Sequence, residues 1–146
     1  MANAVNSMLA SVVTQGTGAR AGTADRRPQA GKTGTIDSNA AVWYAGYTPQ
    51  VAGAAMISID KERSSRTSLK GYTVPSTGLL LEGSGSGDAG QDIWKPAMRA
   101  YLEGKAMRSF DAPPPDLVSS RGYTDFRNGL PGRGGGPGEP APQGPR

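Results

Sequence analysis

Apolar residues recur at helical spacing near the start of the chain. Val5, Met8, Leu9, Val12 and Val13 fall at i, i+3, i+4, i+7 and i+8, one face of an amphipathic helix. That stripe is expected to pack on a core. Gln15-Gly16 ends the run, and Gly16 to Pro28 reads as a basic loop. The period then shortens to two. A small, polar strand is predicted over Gln29 to Thr35. Ala41 to Tyr47 forms a second strand, with Trp43, Ala45 and Tyr47 on one face and Val42 and Tyr44 on the other. Thr48-Pro49-Gln50 supplies a tight turn into a third strand, Val51 to Ile59, apolar on both faces. Short connections predict antiparallel pairing. Lys61 to Gly90 reads as a loop with one short strand at Gly78 to Leu81, and the Gly-Ser-Gly-Ser-Gly run at Gly83 to Gly87 belongs to that loop. A second helix is expected after Asp92 as N-cap, with Trp94, Ala97, Met98, Tyr101 and Leu102 on its apolar face. Pro96 falls in its first turn, and Gly104 closes it. The expected fold class is α+β, a small antiparallel sheet with flanking helices over residues 1–105.

From residue 106 to 146 the chain turns to Pro, Gly and Arg. Such a stretch buries too little apolar surface to offset its ordering entropy and reads as a disordered tail. An arginine-glycine tail that binds RNA would interleave aromatic residues, and the last third of this one has none. The net charge of +4 is spread along the chain and forms no basic face, so no nucleic-acid partner is expected. No run of about 18 apolar residues occurs, so no membrane segment is expected in the chain.

Cysteine and histidine are both absent. This excludes disulfides, thiolate nucleophiles, zinc sites built on Cys or His, and any Ser-His-Asp triad. Asp60, Glu62, Asp88 and Asp92 form no pair at a metal or acid–base spacing, so neither a metal nor a cofactor is expected. Any base in nucleophilic chemistry must be Lys, Tyr or a carboxylate. Trp43, Tyr44 and Tyr47 read as core and cross-strand partners before they read as a stacking platform for sugars or bases.

One stretch carries chemical content, Ala30-Gly31-Lys32-Thr33-Gly34-Thr35. A phosphate-binding loop ending in Gly31-Lys32-Thr33 would need glycine five residues earlier, where Arg26 stands. It would also follow an apolar strand and open a helix, and this stretch does neither. The alternative is a Lys-Thr-Gly strand of serine acyl-transferases acting on D-alanyl peptides and β-lactams. Lys32 brings a compact ammonium for a terminal carboxylate. Thr33 and Thr35, two residues apart on a strand, point the same way and can both donate to it. Gly34 has no side chain to keep a substrate backbone away. Alternation puts Lys32 on the other face, so one shared site requires this strand to lie at a sheet edge.

The order Gly31-Lys32-Thr33-Gly34-Thr35, then Ala41-Val42-Trp43-Tyr44-Ala45-Gly46-Tyr47-Thr48-Pro49-Gln50, then Ile93-Trp94-Lys95-Pro96-Ala97-Met98 resembles the C-terminal part of the transpeptidase domain of bifunctional, class A penicillin-binding proteins. The likeness covers roughly the first hundred residues and is strongest from Ala30 to Gln50. It implies the C-terminal portion of a penicillin-binding and serine β-lactamase-like fold, a helix-covered sheet beside an all-helical part. It implies a reaction in which a serine is acylated by a D-alanyl-D-alanine stem, and a parent protein anchored at the extracytoplasmic face of the cell membrane. The partner implied is a peptidoglycan stem peptide or a β-lactam. By the same likeness Lys32, Thr33 and Thr35 hold the carboxylate, Gly34 gives room, and the Thr35 backbone N–H completes an oxyanion hole.

Two motifs of the family are not found as the family places them. Ser-x-Asn does not occur, and the one Ser-x-x-Lys string, Ser58-Ile59-Asp60-Lys61, follows Lys32 at a strand end where the family's copy precedes it and opens a helix. The chain is therefore expected to lack its serine nucleophile, to have no catalytic residue of its own, and to be inactive alone. Met1 reads as an internal or truncated start. Two rival readings are a non-catalytic remnant or interaction module with a disordered tail, and the end of a serine β-lactamase or D,D-carboxypeptidase. The Trp43 to Gln50 stretch favours the transpeptidase over the latter.

Overall fold

A computed structural model describes residues 2–23 and 25–113. Helix α1 (Ala2–Thr14) leads through a short 3₁₀ turn (Ala19–Ala21) to strands β1 (Ala30–Thr35), β2 (Ala41–Tyr47) and β3 (Ala52–Ser58). The three strands pair in sequence order, both pairs antiparallel, with Thr33 opposite Tyr44 and Tyr44 opposite Ala55. A π-helical stretch, Gly85–Trp94, then passes without a break into α2 (Lys95–Leu102). The α+β class and the three predicted strands are found, and the strands begin and end within one residue of expectation.

The period of two in β2 decides where the core sits. Val42 and Tyr44 are fully buried beneath the second helix, while Trp43 is 43% exposed on the opposite face. Ala55, Leu69, Leu81, Trp94, Met98 and Leu102 close around Val42 and Tyr44. The Tyr44 and Trp94 rings meet edge to face with centroids 5.0 Å apart, the geometry that the ring quadrupoles favour. The Trp94 indole N–H donates to the Gly53 carbonyl at 3.0 Å and fastens the helix to β3. Two glycines make room for Tyr44. A Cβ at Gly31 would stand 2.4 Å from the Tyr44 hydroxyl, and one at Gly46 would stand 2.6 Å from its ring.

Several expectations are corrected. The apolar stripe of α1 is covered only in its second half, where Val13 is buried and Leu9 and Val12 are half-buried. Only Ala4 and Val13 are buried in this helix, and Val5 and Met8 are 47% and 55% exposed. A three-stranded sheet is too narrow to cover the whole stripe, and α1 is held partly by a polar contact, Tyr47 Oη to Asn6 Oδ1 at 2.6 Å. Of the aromatics expected in the core, Trp43 lies open, and Tyr47 is half-buried against Phe110 with centroids 5.6 Å apart. Gly78 to Leu81 is no strand but one side of a tight turn with a single bridge, Thr73 to Leu80.

The largest correction concerns Gly83 to Gly87. Helical winding starts at Gly85 with Ser84 as N-cap, its hydroxyl accepting from the Gly87 N–H at 3.1 Å, so Asp92 lies inside the helix. Glycine is a poor helix former, but every residue from Gly85 to Gly90 is buried. Asp88, 1% exposed, accepts from the backbone N–H groups of Glu82, Gly83 and Ser84 at 3.0, 2.8 and 3.0 Å. A carboxylate so bonded is satisfied without solvent and holds the entry to the helix in one shape.

Past α2, residues 103–113 form neither helix nor strand. The buried Arg27 guanidinium donates to Asp25 at 2.7 Å and to the carbonyls of Leu102 and Lys105 at 3.5 and 3.4 Å. It thereby places a cation at the C-terminal end of the helix. The expected tail reaches from residue 106, and residues 114–146 of it lie outside the described residues.

The Tyr44 hydroxyl is buried with no hydrogen-bond partner among the described residues, and burial pushes its pKa up to about 12. The raised value means that between about pH 10 and 12 the folded chain keeps the phenol neutral where the unfolded chain would ionise it. Stability is therefore complete below pH 10, the ordinary value, and is lost as pH rises from 10 towards 12, by about 1 kcal/mol at pH 11. Urea unfolding at pH 8 and pH 11 measures this, and Tyr44→Phe should remove the alkaline loss while changing stability at pH 8 by under about 1 kcal/mol. An equal alkaline loss in the phenylalanine variant would assign it to another group.

Candidate functional site

Among the described residues β1 pairs with a strand on one side only, so its other side is an unpaired edge of the sheet. The Ile36 N–H donates to the Ala41 carbonyl at 2.9 Å, which fixes the phase of the ladder. In an antiparallel pair alternate residues turn their backbone groups towards and away from the partner. Given the register, Gly34 and Lys32 bond to β2, while Thr33 and Thr35 turn N–H and C=O outward along the free edge. The structure thus brings a backbone donor, Thr35 N–H, and a backbone acceptor, Thr33 C=O, to the same open side.

Side chains complete the edge. Lys32 lies opposite Ala45 and so starts on the face away from Thr33 and Thr35. Its ammonium nevertheless folds round the edge and donates to the Thr33 carbonyl at 2.8 Å. Lys32 and Thr35 are exposed, and Thr33 and Gly34 are half-buried. All four residues singled out in the sequence therefore border one strip of surface. On the face Lys32 starts from lies an open, mostly apolar groove of about 450 Å³ lined by Leu9, Lys32, Ala45, Tyr47 and Ala54.

Thr17 was not legible as part of this edge. Its Oγ1 lies 3.1 Å from Thr33 Oγ1, a contact across 16 residues of chain. The only sequence signal is its place between Gly16 and Gly18.

The backbone of the strip is set from beneath by the π-helical stretch. A Cβ at Gly85 would stand 2.5 Å from the Trp43 carbonyl and 2.9 Å from the Gly34 carbonyl, so the first helical residue rests directly on the middle of the β1–β2 ladder. Arg20 secures that helix from the side. It pairs with Glu82 and donates through Nε to Gln91 Oε1 at 3.2 Å. The hydrogen bond from Arg20 holds the Glu82 carboxyl below the usual carboxylate range. Ser58 and Lys61 stand elsewhere. Ser58 ends β3, two strands and roughly 10 Å from the line of β1, and Lys61 is exposed in the following turn, so neither opens a helix.

No family model matches the chain. Among curated proteins it is similar to Penicillin-binding protein 1A of Escherichia coli (strain K12), 36% identical over 109 residues that cover 72% of this chain and 12% of that protein. It is 31% identical over 115 residues to Penicillin-binding protein 1A of Neisseria gonorrhoeae, covering 79% and 12%. With Penicillin-binding protein 1A of Neisseria flavescens it shares 42% identity over 57 residues, 39% and 7% of the two chains. The chain thus matches about an eighth of the length of the first two relatives, and the resemblance read from its motifs is supported at that level.

If the helix start props the strand, a methyl group at Gly85 must displace one of them. Gly85→Ala should cost about 2 kcal/mol, the scale of overpacking against backbone. It should also move the amide resonances of Gly34, Thr35 and Trp43 more than those of β3. A variant with native stability and unmoved strand amides would show that the helix does not bear on the strip.

Proposed function

We propose that residues 1–105 are the C-terminal portion of a peptidoglycan D,D-transpeptidase (penicillin-binding) domain and that β1 is its carboxylate-recognising strand, with residues 106–146 as an appended tail. The observation that carries this reading is the free edge of β1, where an ammonium, hydroxyls and an outward Thr33 C=O and Thr35 N–H stand together. A peptide ending in D-alanyl-D-alanine adds to the edge as a further strand, since main-chain groups at a sheet edge accept an extended chain. Its terminal carboxylate takes the Lys32 ammonium, which exchanges its own-chain acceptor for a charged one, and the hydroxyls of Thr33 and Thr35. The absent side chain at Gly34 lets the ligand backbone lie close. The Thr35 N–H faces the carbonyl oxygen that becomes an oxyanion on attack, a role worth roughly 3 kcal/mol in acyl-transfer enzymes.

The reaction to which this strand belongs joins a serine hydroxyl oxygen to the penultimate D-alanyl carbonyl and releases D-alanine, and an amine then takes the acyl group. A β-lactam enters by the same carboxylate contacts. In this chain the sole Ser-x-x-Lys string lies at the far side of the sheet, so the chain supplies recognition and not the nucleophile. The setting of such a site is the extracytoplasmic face of the cell membrane. No helix among the described residues is long and apolar enough to cross one.

Titrating the chain with an N-acetylated peptide ending in D-alanyl-D-alanine should shift the amides of residues 31–35, and the same peptide as a C-terminal amide should not. Lys32→Ala and Thr35→Ala should each weaken binding about tenfold or more, because both remove a partner of a charged group, while unfolding stability changes by under about 0.5 kcal/mol, as for exposed positions. Equal binding of the acid and amide peptides would refute carboxylate recognition.

A fluorescent penicillin should leave no covalent label on the chain after denaturation. A labelled band that vanishes in Ser58→Ala would give Ser58 the nucleophile's role.

A further inference from the structure

We infer that Thr17 is a positioning residue for this edge: its hydroxyl donates to Thr33 Oγ1 and leaves the Thr33 proton free to point at the ligand carboxylate. The inference rests on the carboxylate reading above and adds to it a residue outside the strand. A threonine hydroxyl has one proton and two acceptor lone pairs. An isolated Thr33 could turn that proton to its own backbone or to water. The two hydroxyl oxygens lie 3.1 Å apart and either can donate; with Thr17 donating, one lone pair of Thr33 is occupied and its O–H is available for a ligand. A neutral hydroxyl that receives a hydrogen bond also becomes a better donor to an anion.

The backbone holds Thr17 for this contact. The N–H groups of Gly16 and Gly18 both donate to the Val12 carbonyl, at 3.1 and 2.9 Å, so the chain wraps tightly round the end of α1 with Thr17 between them. A Cβ at Gly16 would stand 2.9 Å from the Val12 Cα and carbonyl oxygen, which only glycine avoids. The Ala19 N–H returns to the Gly16 carbonyl at 3.2 Å and closes the loop on its other side. Thr17 is exposed, so packing gives no reason for a threonine there. Its hydroxyl makes a hydrogen bond with Thr33 Oγ1.

The test compares Thr17→Val, which keeps the shape and removes the hydroxyl, with Thr17→Ala and Thr17→Ser in the full chain. Two readouts are taken: the Kd of the D-alanyl-D-alanine peptide by NMR titration, and the χ1 rotamer of Thr33 from three-bond couplings. The expected result is about tenfold weaker binding and an averaged Thr33 rotamer in the valine and alanine variants. Serine should stay within about twofold of the parent chain with one rotamer. Unchanged binding in valine and alanine, or equal weakening in all three, overturns the role of the hydroxyl. If the parent chain itself fails to bind the peptide, the carboxylate reading falls and the role of Thr17 falls with it. Parent binding with an unaffected valine variant removes Thr17 alone.

Discussion

Tyr44 is the constraint from which the rest of the structure follows. A phenol ring with no exposed surface has to lie between a sheet and a helix at close range. That is possible only because Gly31 and Gly46 offer no Cβ on the sheet side. The ring also sets where Trp94 can stand, edge-on at 5.0 Å, and Trp94 in turn ties the helix to β3 through Gly53. One side chain thus spaces the two layers and links all three strands to the helix that covers them. Gly31, the second residue of the Ala-Gly-Lys-Thr-Gly-Thr stretch, belongs to this packing. Within the motif, then, steric and chemical demands alternate: Gly31 serves the core, Lys32 and Thr33 serve the edge, and Gly34 lies over the start of the helix.

The close approach of the helix depends on small residues and on a buried charge. Side chains at Gly85 or Gly90 would strike the β1–β2 backbone or Ala21. A run so rich in glycine forms a helix poorly by itself. Asp88 compensates by gathering three backbone N–H groups just before the first turn. Burial of a carboxylate is costly when it is alone and tolerable when its lone pairs are filled. The glycines permit the contact and Asp88 gives it a fixed shape.

Much of this was legible in the sequence. The switch from a period near 3.6 to a period of 2 located the strands, and alternation in β2 placed Val42 and Tyr44 inwards. Of the five residues whose spacing marked the apolar face of the second helix, Trp94, Met98 and Leu102 are buried, whereas Ala97 and Tyr101 lie exposed. The requirement that Lys32 and the threonines meet at a strand edge followed from alternation alone, and β1 is an edge. Other features were illegible for physical reasons. Gly83 to Gly87 has loop composition, and only tertiary contacts reveal that the lack of side chains is what the helix start needs. Asp88 looked like any surface acid, because its partners are backbone groups that carry no residue identity. The stripe on α1 was a true helical signal but said nothing of whether three strands could cover it. Thr17 met Thr33 through a loop, where spacing has no periodic meaning.

The Tyr44 slot also orders events in time. β1, β2 and β3 are joined by connections of a few residues, and such hairpins close within microseconds. Until the helix arrives from roughly forty residues downstream, however, Tyr44 lies on an open sheet face and gains little. Loop closure over that distance costs entropy before any contact offsets it. The strand that presents Lys32 and Thr33 can therefore form early but becomes durable late. Its edge is held in its final geometry only with Gly85 and Trp94 docked, so a competent site depends on a segment that carries none of its polar groups.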